Sequence, residues 1–114
     1  MARTTEQVLQ HHRAALAGGD AAALMEDYAA DAVLMTTEGA KVGTAAIAGF
    51  LVHMQKILPN LKITSTGTIV HGEVVLTAWK ADSDAGTVPH GVDTIVIRDD
   101  KIRIQTVWYT IMAK

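Results

Sequence analysis

From Leu61 onward apolar residues recur at every second position, whereas before it they recur at every third or fourth. The first period belongs to strands with one face turned inward, the second to helices packed by a stripe. The sequence therefore predicts a helical first half and a β second half. A first helix is expected over Thr5–Ala17. Thr4 with Gln7 three positions on has the form of a capping box, and Gly18-Gly19 supplies the left-handed conformation that ends helices. Asp20 is a good N-cap for a second helix reaching about Ala29, which would put Leu24, Met25 and Tyr28 on one face. Residues 32–37 read as a short strand, and Gly39 and Gly43 bracket a turn. A third helix, Thr44–Ile57, is expected to be capped by Thr44 and stopped by Pro59-Asn60, with Ile47, Phe50, Leu51, Met54 and Leu58 inward.

Four strands follow, Leu61–Val70, Glu73–Ala81, Thr87–Arg98 and Ile102–Met112, separated by His71-Gly72, residues 83–86 and Asp99-Asp100. Helices first and an antiparallel meander afterwards make an α+β domain. In the last strand Ile104, Thr106, Trp108 and Thr110 share one face, and Arg103, Gln105, Val107, Tyr109 and Ile111 the other. Neither face is plainly polar, so both call for cover. Helices can cover one, and a second subunit is the simplest cover for the other.

With 114 residues, 49% of them hydrophobic, the chain has length and material for one core, and a single domain over 1–114 is expected. Aromatics are scarce, so aliphatic side chains and Met do the filling. A net charge of -2 with both signs scattered argues against nucleic acid, which requires a concentrated basic surface. Without cysteine there is no disulfide, thiol nucleophile or thiolate zinc site. No apolar run approaches membrane-spanning length and the first residues carry no apolar leader, so a cytoplasmic protein with no membrane partner is expected.

Two residues stand out. On the first helix Val8, His12, Ala15 and Leu16 fall within an arc of roughly 100° with His12 near its middle, while His11 lies at the edge and is expected to be solvated. A histidine in that place is either a hydrogen-bonded core residue or a pocket-lining acid/base. Asp93 interrupts an apolar strand, and period 2 groups it with Gly91, Ile95 and Ile97. Such an acid is buried, and is either satisfied by neighbours or retained for a site. Histidines 53, 71 and 90 form no ligand set, and no phosphate-binding glycine pattern exists, so neither metal nor cofactor is expected.

Residues 8–20, Tyr28-Ala-Ala-Asp31-Ala-Val33, Val42-Gly43-Thr44-Ala-Ala-Ile47 and residues 92–102, in that order and spacing, resemble the nuclear transport factor 2-like superfamily, in particular its SnoaL-like and ketosteroid isomerase-like branches. The resemblance implies a cone: a strongly bent mixed sheet around three helices, enclosing an apolar pocket, in homodimers that pair across the outer sheet face. Trp108, Thr106 and Val96 would lie in that interface. It also places His12 at the branch's oxyanion-hole tyrosine and Asp93 at its protonated aspartic acid, the latter a general example of an acid kept neutral by apolar surroundings. The two would then form a dyad, with Asp93 fixing the imidazole tautomer and raising its pKa. Tyr28, Phe50, Met54, Gln105 and Tyr109 would line the pocket, while Trp79 could face either pocket or interface. The branch's general base is replaced by Thr36, whose hydroxyl is no base near neutral pH.

Two functional readings remain open. One is a cofactor-free isomerase, cyclase, dehydratase or hydrolase moving protons on a hydrophobic metabolite. The other is a non-catalytic dimer that binds a ligand or serves assembly.

Overall fold

The computed structural model describes residues 2–114. The first helix, α1 (Thr5–Gly18), is closed at both ends as expected. Thr4 and Gln7 form a reciprocal capping box, and Gly19 takes a left-handed φ of 64° as its N–H caps the carbonyls of Ala15 and Leu16. The second helix, α2 (Ala21–Met25), is a single turn capped by Asp20. The expected continuation to Ala29 does not occur, because the chain is already paired in the sheet. The Asp27 carbonyl accepts from Ile102 N at 2.7 Å, and β1 (Tyr28–Thr36) begins one residue later. Tertiary pairing here overrides the helical preference of an Ala-rich segment.

Between Gly39 and Gly43 lies a strand, β2 (Gly39–Val42), hairpinned to β1, where the sequence suggested only a turn. The third helix, α3 (Thr44–Ile57), keeps its predicted bounds. Its N-cap is Gly43, without a side-chain cap bond, rather than Thr44. Gly43 sits at φ 86°, and its N–H donates to Ala32 O at 2.8 Å, so the hairpin positions the helix start. Ile47, Phe50 and Leu58 are buried, with Leu51 and Met54 packed against the same core, which is the predicted stripe.

Four longer strands and a short one complete the chain: β3 (Lys62–His71), β4 (Val74–Asp82), β5 (Gly86–Arg98), β6 (Lys101–Tyr109) and β7 (Met112–Ala113). The last predicted strand is thus broken after Tyr109, and β7 pairs instead with the start of β5. The sheet runs β2-β1-β6-β5-β4-β3, antiparallel except for the parallel β1–β6 pair. It is a curved, unclosed mixed sheet with α1 and α3 packed on it and α2 against those two helices, the α+β cone expected.

Register irregularities at four places bend it, and the one opposite Val96 and Ile97 has a consequence for side-chain direction. There Arg103 is the extra residue, so Ile102 and Gln105 both point inward although they differ by three positions. Val8, Leu24, Leu34, Ile47, Val75, Ile95 and Ile102 form the dry centre of the core. The convex side carries registered apolar rows: Ile69, Leu76, Thr94, Thr106 and Met35 in one, Val74, Val96 and Ile104 in the next.

Candidate functional site

Asp93 lies on the concave side of β5, opposite Thr77 of β4 and Val107 of β6, beside Ile95 and Ile97 as the alternation predicts. It is 9% exposed. Its partners are not the histidine expected from the resemblance. Trp79 Nε1 donates to Oδ1 at 2.7 Å, and Gln105 Nε2 donates to Oδ2 at 2.7 Å. Gln105 in turn accepts on Oε1 from the Tyr28 hydroxyl at 2.5 Å. The three side chains come from β6, β4 and β1: the β4–β5 pairing brings Trp79, the bulge at Arg103 turns Gln105 inward, and the parallel β1–β6 pairing brings Tyr28.

The result is a directional relay, Tyr28 to Gln105 to Asp93, closed on the other oxygen by an indole. Burial pushes the Asp93 carboxyl up from its ordinary range, while the Trp79 and Gln105 hydrogen bonds pull it back part of the way. Burial and the nearby Asp93 and Asp27 charges push the Tyr28 phenol upward, so Tyr28 is a neutral donor.

Trp79 faces the interior, not the outer surface. Its indole lies over Gly91, where a Cβ would sit 2.2 Å from Cε2, and it packs at a tilt on Tyr109 with ring centroids 6.3 Å apart. The signal was present in the sequence, because Val75, Thr77 and Trp79 share the inward phase of β4. Tyr109 and Met54 meet at the same end of the cone, the Tyr109 hydroxyl donating to Met54 Sδ at 3.4 Å, and Phe50 is buried nearby in the core. Sulfur is a weak acceptor, so Met54 holds that hydroxyl only weakly. The five residues expected to line a pocket, Tyr28, Phe50, Met54, Gln105 and Tyr109, therefore all belong to the interior. The two hollows outlined in the structure open elsewhere. One of about 360 Å3 lies on the convex face by Met35, Val92 and Trp108, and one of about 460 Å3 by Lys62, Lys80 and Pro89.

His12 is buried, as its place on α1 predicts, and its ring meets Tyr28 edge-on with centroids 5.7 Å apart. It forms no dyad with Asp93. Its Nδ1 is buried without a hydrogen-bond partner and lies 3.8 Å from Asp27 Oδ2. Nor is its pKa raised: burial lowers it to about 4, against a smaller upward pull from Asp27, so the ring is neutral at pH 7. His11, expected in solvent, keeps 39% of its side chain exposed and also places Nδ1 2.8 Å from both Asp27 oxygens. Asp27 carries no signal in the sequence, where it falls within the segment expected to be helical up to about Ala29. Thr36, in the position of the missing base, serves the β1–β2 turn. Its hydroxyl accepts from Glu38 N at 3.0 Å and donates to Gly39 O at 3.3 Å. Among the described residues no group of three or more His, Cys, Asp or Glu could hold a metal ion.

The family model for a SnoaL-like domain matches residues 8–104. The chain belongs to the SnoaL-like family. Among curated proteins no sequence matches it. Its fold is shared with a candidate ketosteroid isomerase of Kribbella flavida DSM 17836, at TM-score 0.80 and 15% identity over 93% of this chain and 77% of that one. It is similar to a candidate polyketide cyclase of Sinorhizobium meliloti, at TM-score 0.78 and 21% identity over 89% and 93%. TerC co-crystallised with polyporic acid matches at TM-score 0.76 and 18% identity over 94% and 91%. Among the described residues of this SnoaL-like chain, no helix is long and apolar enough to cross a membrane.

Two linked predictions concern the buried ionisable groups. The Asp93 carboxyl is raised on folding, so its contribution is full below the unfolded value and is lost as pH rises through the folded one. Asp93→Asn, with Gln105 turned to accept from the new amide, should then melt higher at pH 7. A gain of about 1 kcal/mol would appear as a rise of roughly 4–8 °C, shrinking toward acid pH. A clear fall at pH 7 would make Asp93 a satisfied acceptor instead. His12 has the opposite sign, its folded value being depressed from 6.5 to about 4. Its contribution is full above pH 6.5 and disappears as pH falls toward 4, a loss on the order of 3 kcal/mol. Urea unfolding across that range should show the loss in wild type and not in His12→Leu.

Proposed function

We propose that the chain binds a hydrophobic small molecule inside the cone and acts on it without a cofactor, moving protons as an isomerase, cyclase, dehydratase or hydrolase. The observation that carries this reading is the polar array of His12, Tyr28, Trp79, Asp93 and Gln105 on the concave side of an otherwise apolar core. Burial raises the Asp93 carboxyl, which makes it the candidate proton-exchanging group, while His12, held neutral with its pKa lowered to about 4, offers a ligand a hydrogen-bonding ring nitrogen. Similarity to folds described as isomerase and cyclase, and to one crystallised with polyporic acid, supports the same class. A non-catalytic dimer that binds a ligand or serves assembly is the second reading. It is favoured by Thr36, whose hydroxyl is spent on a turn where a base would be needed.

A second copy of the chain is the proposed partner, seated on the convex sheet face. Trp108 stands 69% exposed there, next to a hollow lined by Met35, Val92, Thr94 and Thr106. Knob and hole on one surface suit a two-fold interface, in which each Trp108 enters the hollow of the other copy. The lining carries no charge, so a copy of the same surface matches it without burying an ion.

Trp79 reports on the interior directly. In a Trp108→Phe background, titration with an apolar aromatic such as 2-naphthol should change Trp79 fluorescence saturably, with no such change in the Trp79→Phe, Trp108→Phe double variant. Absence of a saturable change would remove the binding reading. Against a panel of hydrophobic ketones, enols and epoxides, His12→Ala and Asp93→Asn should each lower kcat by about 10²–10⁴-fold. Binding without turnover of any of them would favour the second reading.

For the interface, wild type should sediment as a dimer at micromolar concentration and Trp108→Lys as a monomer. A monomeric wild type would remove the proposed partner.

A further inference from the structure

The charged side chain that this fold encloses completely is Asp27, at 0% exposure. Three cationic or protonatable side chains converge on it. Arg3 Nη1 donates to Oδ1 at 2.8 Å, while its Nε turns to Asp100 Oδ1 at 2.5 Å, so one guanidinium serves two carboxylates. His11 Nδ1 sits 2.8 Å from each Asp27 oxygen. His12 Nδ1, 3.8 Å from Oδ2, is the one buried side-chain polar atom among the described residues that lacks a partner.

That orphan atom has a chemical consequence. A neutral imidazole carries its proton on one nitrogen and a lone pair on the other, and the neighbours of each nitrogen decide which. With the proton on Nδ1, the N–H lies 3.8 Å from an Asp27 oxygen, beyond hydrogen-bond length but close enough for the carboxylate's charge to favour it. With the proton on Nε2, a buried lone pair would face that anion across 3.8 Å with no donor to relieve it. The other charged groups acting on the ring, His11 and Arg13, are both cationic when charged and lie on α1 itself. Asp93 is occupied elsewhere, by Trp79 and Gln105.

We propose that Asp27 is the positioning residue for His12, holding the neutral ring in its Nδ1–H tautomer so that Nε2 is left as a lone-pair acceptor on the side of the ring away from Asp27. The role that the resemblance assigns to Asp93 is then carried by a different carboxylate on a different element. His12 presents an acceptor where a tyrosine would present a donor. Such a site favours a ligand that brings a hydroxyl or enol proton over one that brings only a carbonyl. This consequence rests on the binding reading above, whereas the tautomer itself can be read with no ligand present.

Long-range proton–nitrogen correlation spectra of uniformly 15N-labelled protein at pH 7 test the assignment. For wild type the expected pattern is a pyrrole-type Nδ1 and a pyridine-type Nε2 at His12. In Asp27→Asn the amide can turn its NH2 toward His12, replacing an acceptor with a donor, and the expected tautomer inverts to Nε2–H. Asp93→Asn should leave the wild-type pattern intact. The proposal is overturned by a proton on Nε2 in wild type, by a folded Asp27→Asn that keeps Nδ1–H, or by inversion in Asp93→Asn. Should Asp27→Asn fail to fold, the wild-type and Asp93→Asn spectra still decide. An enzyme reading that fails its substrate panel leaves all three spectra unaffected.

Discussion

The parallel pairing of β1 with β6 is the contact on which both fold and site depend. All other pairs in the sheet are antiparallel, and β1–β6 is the one that joins the strand after α2 to the meander. It starts at the hydrogen bond from Ile102 N to Asp27 O and registers Tyr28 against Ile102 and Leu34 against Gln105. Parallel pairing of distant segments closes a long loop, and that entropy is offset only when the segments bury apolar surface together. Leu34 and Ile102, both fully buried, supply it. The same pairing carries Tyr28 to within hydrogen-bonding reach of Gln105, so the polar relay is a by-product of the contact that closes the cone.

Inside that cone two ionisable groups are managed in opposite ways. Asp93 receives a donor on each oxygen, which compensates its charge in part, and its relay ends in a phenol that has no tendency to ionise. His12 receives no hydrogen bond at Nδ1 and avoids the cost of a buried charge by staying neutral. Asp27 is handled in a third way, by Arg3 and His11. A fully enclosed carboxylate without such partners would cost several kcal/mol. The segment before α1 is therefore part of the site's support and not a loose end, since Arg3 also ties it to Asp100 in the β5–β6 turn.

Periodicity made much of this legible. The two-residue alternation of β5 puts Asp93 inside with Ile95 and Ile97, and the stripe of α1 puts His12 inside with Val8. It did so because these positions depend on one element packing against a core, which local pattern encodes. Partner identity was not legible, because it depends on register between elements far apart in sequence. Nothing in residues 101–109 announces that Arg103 is a bulge, yet without it Gln105 and Ile102 would not share a face. Asp27 was missed for a related reason: its burial is produced by Arg3 and by β6, neither of which is adjacent to it in sequence. The second helix is shorter than the local pattern up to Ala29 predicts, because the sheet competes successfully for the residues from Tyr28 onward.

The concave and convex faces of the sheet answer different demands, and the difference shows in their polar atoms. Inside, every polar side chain that faces the core is held by another or kept neutral. Outside, the rows from Ile69 to Met35 and from Val74 to Ile104 carry threonine hydroxyls among aliphatic groups and no charge. A monomer in water gains nothing from such a surface, since several exposed large apolar groups in register are both a solubility burden and an invitation to misassociate. The inner face, by contrast, buries ionisable groups among aliphatic side chains. Assembly alone does not require Asp93 among isoleucines, and an interior site alone does not require uncharged apolar rows on the outer sheet. The buried acid on one face and the apolar rows on the other are the two physical grounds for the interior-ligand and second-copy readings proposed above.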